Sequence, residues 1–157
     1  MIRIVTNCEE ETLRLGERLG ACLLPGDTVL LEGEMGAGKS VLCRGVARGL
    51  GVEGPISSPT FTIVNVHDGA RGRLYHFDLY RLEDADAFWE AGLDEMIGAD
   101  GVALIEWPSR APEAMPERRL RVEIAYAADD VQRREITFFP EGGFDEAPLA
   151  ALTEVEA

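Results

Sequence analysis

Eight residues constrain this chain more than any others: Gly33-Glu34-Met35-Gly36-Ala37-Gly38-Lys39-Ser40 fits the pattern GxxxxGK[ST] at every fixed position. The pattern carries chemistry only between a strand and a helix. Thr28 to Glu32 is a short apolar run of the buried-strand kind, set off by the Pro25-Gly26-Asp27 turn. After the loop, a helix is expected from Lys39 to about Leu50, with Val41, Leu42, Val46 and Leu50 facing inward and Gly49 or Gly51 near its end. Strand, loop and helix come in the required order. Glycines then let successive N–H groups turn inward at the positive end of a helix, which makes a cradle for phosphate oxygens. Lys39 would reach the β and γ phosphates, and the Ser40 hydroxyl would ligate Mg²⁺.

Lys39 is singled out by composition as well. Of the 15 basic residues in the chain it is the only lysine. A loop wrapped around phosphate needs a slim stem and a compact ammonium, and a planar guanidinium is too wide for it.

The remaining pattern describes one α/β domain. Residues 2 to 5 alternate as a short strand, and Asn7 with Glu10 forms a capping box for a helix running to about Leu24, with Leu13, Leu19 and Leu23 near one face. Phe61 to Val66 and Arg73 to Asp78 flank Asp68-Gly69 as an antiparallel hairpin, and residues 84 to 98 are helical with a break near Gly92. Val102 to Glu106 is another buried-type strand, followed by a proline-rich connection. Arg119 to Tyr126 and Arg133 to Phe139 read as a second hairpin at a sheet edge. Residues 1–140 thus form the domain, and 141–157 read as an acidic C-terminal tail, loose or at most a frayed helix.

A phosphate site of this type also needs an acid at the end of a neighbouring strand to hold hydrated magnesium. Two stand in that position: Asp78 after Leu74-Tyr75-His76-Phe77, and Glu106 after Val102-Ala103-Leu104-Ile105. One would serve the metal and the other its water shell or the attacking water, in either assignment. Ser57 to Thr62 lies between the loop helix and a strand, where such proteins place a segment that senses the γ-phosphate. His76, alone within a strand, reads as structural; Trp107 would pack on a base, on a partner, or in the core boundary.

A net charge of -14 repels a polyphosphate backbone, so any contact with RNA is expected through a partner protein. No apolar run is long enough for a membrane span or secretory leader, so a cytoplasmic protein is expected. The three cysteines, Cys8, Cys22 and Cys43, show no zinc-ligand spacing.

Taken in order, the loop, Ser58-Pro59-Thr60-Phe61-Thr62, His76-Phe77-Asp78-Leu79-Tyr80-Arg81-Leu82 and Ile105-Glu106-Trp107-Pro108 closely resemble the TsaE (YjeE) family over about residues 5 to 139. The resemblance implies a single P-loop NTPase-like domain with a mixed central sheet flanked by helices. It also implies an ATPase that is slow alone and is required for forming the threonylcarbamoyl group on adenosine 37 of tRNAs reading ANN codons. Partners would be TsaB and TsaD proteins, with tRNA met only through the complex, and the cofactors ATP and Mg²⁺. The catalytic residues carried over are Lys39, Asp78 and Glu106, and the metal ligands Ser40, Asp78 and Glu106. Gly33, Met35, Gly36, Ala37, Gly38, Lys39, Ser40, Val41, Thr60 and Trp107 fall at nucleotide positions, as do Glu9 and Arg134 by a looser match. Val41 stands where many members carry a second hydroxyl.

Two other classes would use the same loop. A small-molecule kinase needs an acceptor pocket and usually a basic lid, and no arginine-rich lid is evident. A GTP switch normally reads guanine through [NT]KxD, which a chain whose only lysine is Lys39 lacks.

Overall fold

The computed structural model describes residues 1–34 and 36–153. Met35, expected in the phosphate loop, and residues 154–157, expected at the end of the tail, lie outside them.

Among the described residues, one seven-stranded sheet organises the fold. In chain order the strands are β1 (Ile2–Thr6), β2 (Thr28–Glu32), β3 (Val64–Gly69), β4 (Gly72–Asp78), β5 (Gly101–Glu106), β6 (Arg119–Ala127) and β7 (Asp130–Glu141). They lie side by side as β1-β7-β6-β2-β5-β4-β3. β2 pairs in parallel with both β5 and β6, and β4 pairs in parallel with β5. The β3–β4, β6–β7 and β1–β7 pairs are antiparallel, so the sheet is mixed, as expected. Strands β2 and β5 are at its centre, where both faces are covered, and both are apolar along almost their whole length.

The second hairpin is not at a sheet edge as the sequence suggested. β7 is twelve residues long, and its far side pairs with β1 from Ile2↔Phe138 to Thr6↔Arg134. Ile2 and Ile4 of β1 pack against the core, and it is this burial that draws the strand across. The first hairpin strand begins at Val64 rather than Phe61. Pro59 to Ile63 forms a turn instead, closed by Ile63 N–H donating to the Pro59 carbonyl at 2.7 Å.

Helix α1 (Glu9–Cys22) and helix α2 (Lys39–Gly49) cover one face of the sheet. Their axes approach closely because glycine meets glycine: a Cβ on Gly16 would stand 2.8 Å from Gly45 Cα, and one on Gly49 would stand 2.8 Å from Gly20 Cα. The start of α1 differs by one position from the expected capping box. Cys8 is the N-cap, and Glu11, not Glu10, reaches back to accept from the Asn7 backbone N–H at 3.0 Å. Glu11 is the N3 residue once the cap moves to Cys8.

The other face is covered by helix α3 (Ala85–Glu90), the 3₁₀ turn Leu93–Met96 and the proline-rich stretch, which forms short turns at Pro108–Arg110 and Pro112–Ala114. Phe77, Phe88 and Ile105 are fully buried there. Beyond β7, the acidic segment is anchored by three apolar side chains. Phe144, Leu149 and Leu152 join the core beside α1, the last two from a 3₁₀ helix at Ala147–Thr153.

Candidate functional site

The phosphate loop leaves the C-terminal end of β2 and enters α2, so the helix begins with its free N–H groups at the site. Gly36 and Gly38 have φ of 78° and 104°, which a residue with a Cβ adopts only with strain. Space excludes side chains too: a Cβ on Gly33 would stand 2.6 Å from the Ile124 carbonyl oxygen, and one on Gly36 would be 2.9 Å from the Tyr126 hydroxyl. That hydroxyl donates to the Gly36 carbonyl, and Arg134 Nε donates to the Ala37 carbonyl at 2.8 Å. The hairpin β6–β7 therefore fastens the loop from outside by its carbonyls, while the Ala37 N–H closes a turn onto the Glu34 carbonyl at 3.1 Å.

Lys39 is only 6% exposed, and its Nζ lies 3.9 Å from the centroid of the Trp107 ring. Burial lowers its pKa below the ordinary 10.5, opposed by the charges of Glu106 and Asp78. Trp107 adopts φ 56°, a left-handed conformation that costs a non-glycine residue about 1 kcal/mol. Its ring meets Tyr80 at 4.9 Å between centroids. Ser40 follows Lys39 in the first turn of α2 and is exposed.

Asp78 and Glu106 end β4 and β5 as direct register partners, and both are buried. Asp78 Oδ1 accepts from the Tyr80 N–H at 3.0 Å and Oδ2 from the Thr60 hydroxyl at 3.1 Å. Thr60 also bonds Ser58 at 2.7 Å, and the Asp78 N–H donates to the Ile63 carbonyl at 2.8 Å. Thr60 and its loop are thereby tied to Asp78 through side chain and backbone alike. Glu106 Oε2 bonds His76 Nε2 at 2.8 Å.

Beside the loop opens a cleft of about 410 Å³ lined by Glu9, Thr12, Gly36, Gly38, Val41, Val131, Gln132 and Arg134. It gathers residues that are far apart in sequence. Val41, expected to face inward, is half-buried at its wall. Glu9 pairs with Arg44 at 3.1 Å, and Arg134 stacks over Tyr126. Of the expected site residues among those described, Gly33, Gly36, Ala37, Gly38, Lys39 and Ser40 make the loop, and Asp78, Glu106 and Trp107 stand around Lys39, with Thr60 bonded to Asp78. Glu9, Val41 and Arg134 line this cleft. No sequence signal points to Tyr126 or to the cleft residues Thr12, Val131 and Gln132, the last two at the start of β7 where no motif marks them. His76, which the sequence marks only as a structural strand residue, meets Glu106 through the parallel pairing of β4 and β5, which no local pattern encodes.

The donor set suits a hard cation at this end of the sheet. Two carboxylates and a hydroxyl are oxygen ligands of the kind Mg²⁺ takes, while the glycine cradle is shaped for anionic oxygens. Cys43 stands behind them, its sulfur, a His76 nitrogen and a Glu106 oxygen all lying within 4.8 Å of one another. Burial raises the Cys43 thiol well above its ordinary range, so it packs there as a neutral group.

The family model described as "Threonylcarbamoyl adenosine biosynthesis protein TsaE" matches residues 6–136. The tRNA threonylcarbamoyladenosine biosynthesis protein TsaE of Bacillus subtilis is 43% identical over 129 residues, 82% of this chain and 79% of that protein. Its namesake from Treponema pallidum is 38% identical over 136 residues, covering 87% of this chain and 98% of the relative. Among solved structures, the crystal structure of Bacillus subtilis YdiB superposes with a TM-score of 0.82 at 35% identity, over 97% of this chain and 93% of that one.

Proposed function

The chain belongs to the TsaE family, and from that premise we propose that it binds ATP with Mg²⁺ and hydrolyses it slowly, in the service of tRNA threonylcarbamoyladenosine formation. The observation that supports this most directly is the convergence on one glycine loop of a buried lysine and two buried, register-paired acids. The loop N–H groups and Lys39 hold phosphate oxygens; Ser40 and Asp78 hold the metal, with Glu106 in the same cluster. Held by Ser40 and Asp78, Mg²⁺ would supply positive charge to offset that of the phosphates. Glu106 orients the water and takes its proton as oxygen attacks the γ-phosphorus and the bond to the β–γ bridging oxygen breaks. Thr60, bonded to Asp78, carries the state of the site to the exposed loop that includes Phe61, which is 81% exposed. Glu9, Val41 and Arg134 frame the cleft for the nucleoside.

The chain carries a net charge of -14, so tRNA is met through partners, TsaB and TsaD proteins, and the chemistry on adenosine 37 of tRNAs reading ANN codons takes place there. No described helix is long and apolar enough to cross a membrane, and the cytoplasm is where tRNA and these partners would be found. The test is ATP hydrolysis by the isolated protein and with TsaB and TsaD added, alongside Lys39→Ala and Glu106→Ala. Turnover that rises with partners and disappears in both variants is expected. Phosphate transfer to a small metabolite, the kinase alternative, or turnover indifferent to partners would overturn the proposal.

A further inference from the structure

We infer that His76 is a positioning residue for Glu106, a role that rests on the hydrolytic function proposed above. Both side chains are almost completely enclosed, at 3% and 8% exposure, with His76 Nε2 and Glu106 Oε2 2.8 Å apart. A carboxylate only accepts, so Nε2 carries the proton and donates. In a neutral imidazole that leaves Nδ1 as a bare acceptor, and Nδ1 is buried with no hydrogen-bond partner among the described residues. An imidazole in this position therefore gives up one hydrogen bond to water, a cost that an apolar side chain of similar size would avoid. What it provides in return is the bond to Glu106.

The sheet explains why the bond reaches this acid and not its neighbour. His76 pairs in register with Leu104, so Glu106 lies two residues further along β5, on the same face. The imidazole leans along the sheet and grips Glu106 from the interior side. Asp78, two residues beyond His76 on its own strand, is held instead by Thr60 and the Tyr80 N–H. The two acids thus have separate supports: Asp78 is tied to an exposed loop, and Glu106 to the rigid core. With Oε2 engaged by His76, the carboxylate is fixed in one rotamer and Oε1 is left to accept from water. Cys43 closes the space behind the imidazole without competing as an anion.

The experiment measures ATP hydrolysis in the presence of TsaB and TsaD, together with affinity for Mg²⁺·ADP and the thermal midpoint, for wild type, His76→Leu, His76→Gln, Glu106→Gln and the His76→Leu/Glu106→Gln double variant. His76→Leu is expected to lower kcat about tenfold to a hundredfold, the usual scale for loss of an orienting hydrogen bond, with KM and Mg²⁺·ADP affinity within about twofold. His76→Gln, whose amide also donates, should restore most of that loss. The double variant should be no slower than Glu106→Gln alone, because the imidazole acts only through the acid. A His76→Leu protein as fast as wild type would overturn the inference, as would losses that multiply in the double variant, or a fall in nucleotide affinity and thermal midpoint that His76→Gln does not repair. If wild type itself fails to turn over ATP with its partners, the hydrolytic reading falls, and this inference with it.

Discussion

Asp78 and Glu106 are direct partners in the parallel register of β4 and β5, so two buried acids stand level at the end of the sheet where the phosphate loop begins. Equal placement does not make them equivalent. Asp78 has both oxygens engaged by the Thr60 loop and the Tyr80 N–H, whereas Glu106 has one oxygen held by His76. Glu106→Gln should therefore depress kcat about a hundredfold or more, the range for a lost general base, while Mg²⁺·ADP still binds within a few-fold of wild type. Asp78→Asn should instead raise the Mg²⁺ concentration needed for half-maximal turnover by about tenfold or more. Steady-state kinetics over a Mg²⁺ titration separates the two; the opposite pattern would exchange their roles.

Lys39 should not be replaceable by arginine. Its ammonium is enclosed against the Trp107 ring at 3.9 Å and is 6% exposed, so a guanidinium at the same position has to displace the ring or the loop. Both Lys39→Arg and Lys39→Ala should lower kcat/KM for ATP by about a hundredfold or more, the scale for removing one buried charge-stabilising donor. Recovery of wild-type kcat/KM in Lys39→Arg would contradict the steric argument while leaving the electrostatic one intact.

The helix layer that supports the loop has its own sensitivity. In Gly45→Ala the added methyl would fall 2.8 Å from Gly16 Cα, and backbone on both sides leaves nothing flexible to yield. α1 and α2 would have to separate, at a cost of about 1 to 3 kcal/mol. In a domain of this size each kcal/mol corresponds to about 2 to 4 °C in thermal midpoint. Gly72→Ala is the matched control: its methyl meets only Leu50 Cδ2 at 3.5 Å, an ordinary contact, and the midpoint should move far less. Differential scanning calorimetry of the two variants makes the comparison.

What the sequence disclosed, and what it withheld, divides along a physical line. The loop, its flanking strand and helix, and both strand-end acids were legible because each is a local pattern: fixed glycine spacing, apolar runs, an acid just past a strand. The place of β1 was not, because Ile2 to Thr6 says nothing about which strand it will meet, and β7 is selected only by burial of Ile2 and Ile4. The capping box slipped by one residue because Glu10 and Glu11 are both able to reach back, and Cys8, a poor cap by side chain, turned out to hold the N-cap position. Tyr126 and Gln132 reach the site because β6 pairs in parallel with β2, far from it in sequence, and carries its hairpin partner β7 to the phosphate loop. Phe144, Leu149 and Leu152 were hidden by the acids around them, since apolar residues spaced irregularly in a charged segment give no periodic signal.

The end of β7 supplies a test in acid. Glu141 is held between two arginines, accepting from Arg119 Nε at 2.8 Å and Arg121 Nε at 3.1 Å, with Arg119 its register partner on β6. The Arg119 hydrogen bond, reinforced by Arg121, holds its carboxyl below the ordinary 4.5 in the folded chain, against a smaller opposing effect of burial. A carboxyl depressed on folding contributes stability that is fully present above its unfolded value and lost as pH falls through its lower folded value. Glu141→Gln removes that contribution. The variant should be less stable than wild type by about 1 kcal/mol or less at neutral pH, in keeping with a partly exposed pair, and the gap should close as pH falls below 4.5. Urea unfolding of the two proteins from neutral to acid pH measures the difference directly, free of the many other acids that titrate alike in both. A gap that stayed constant into acid would mean that Glu141 stabilises the strand end by packing rather than by its charge.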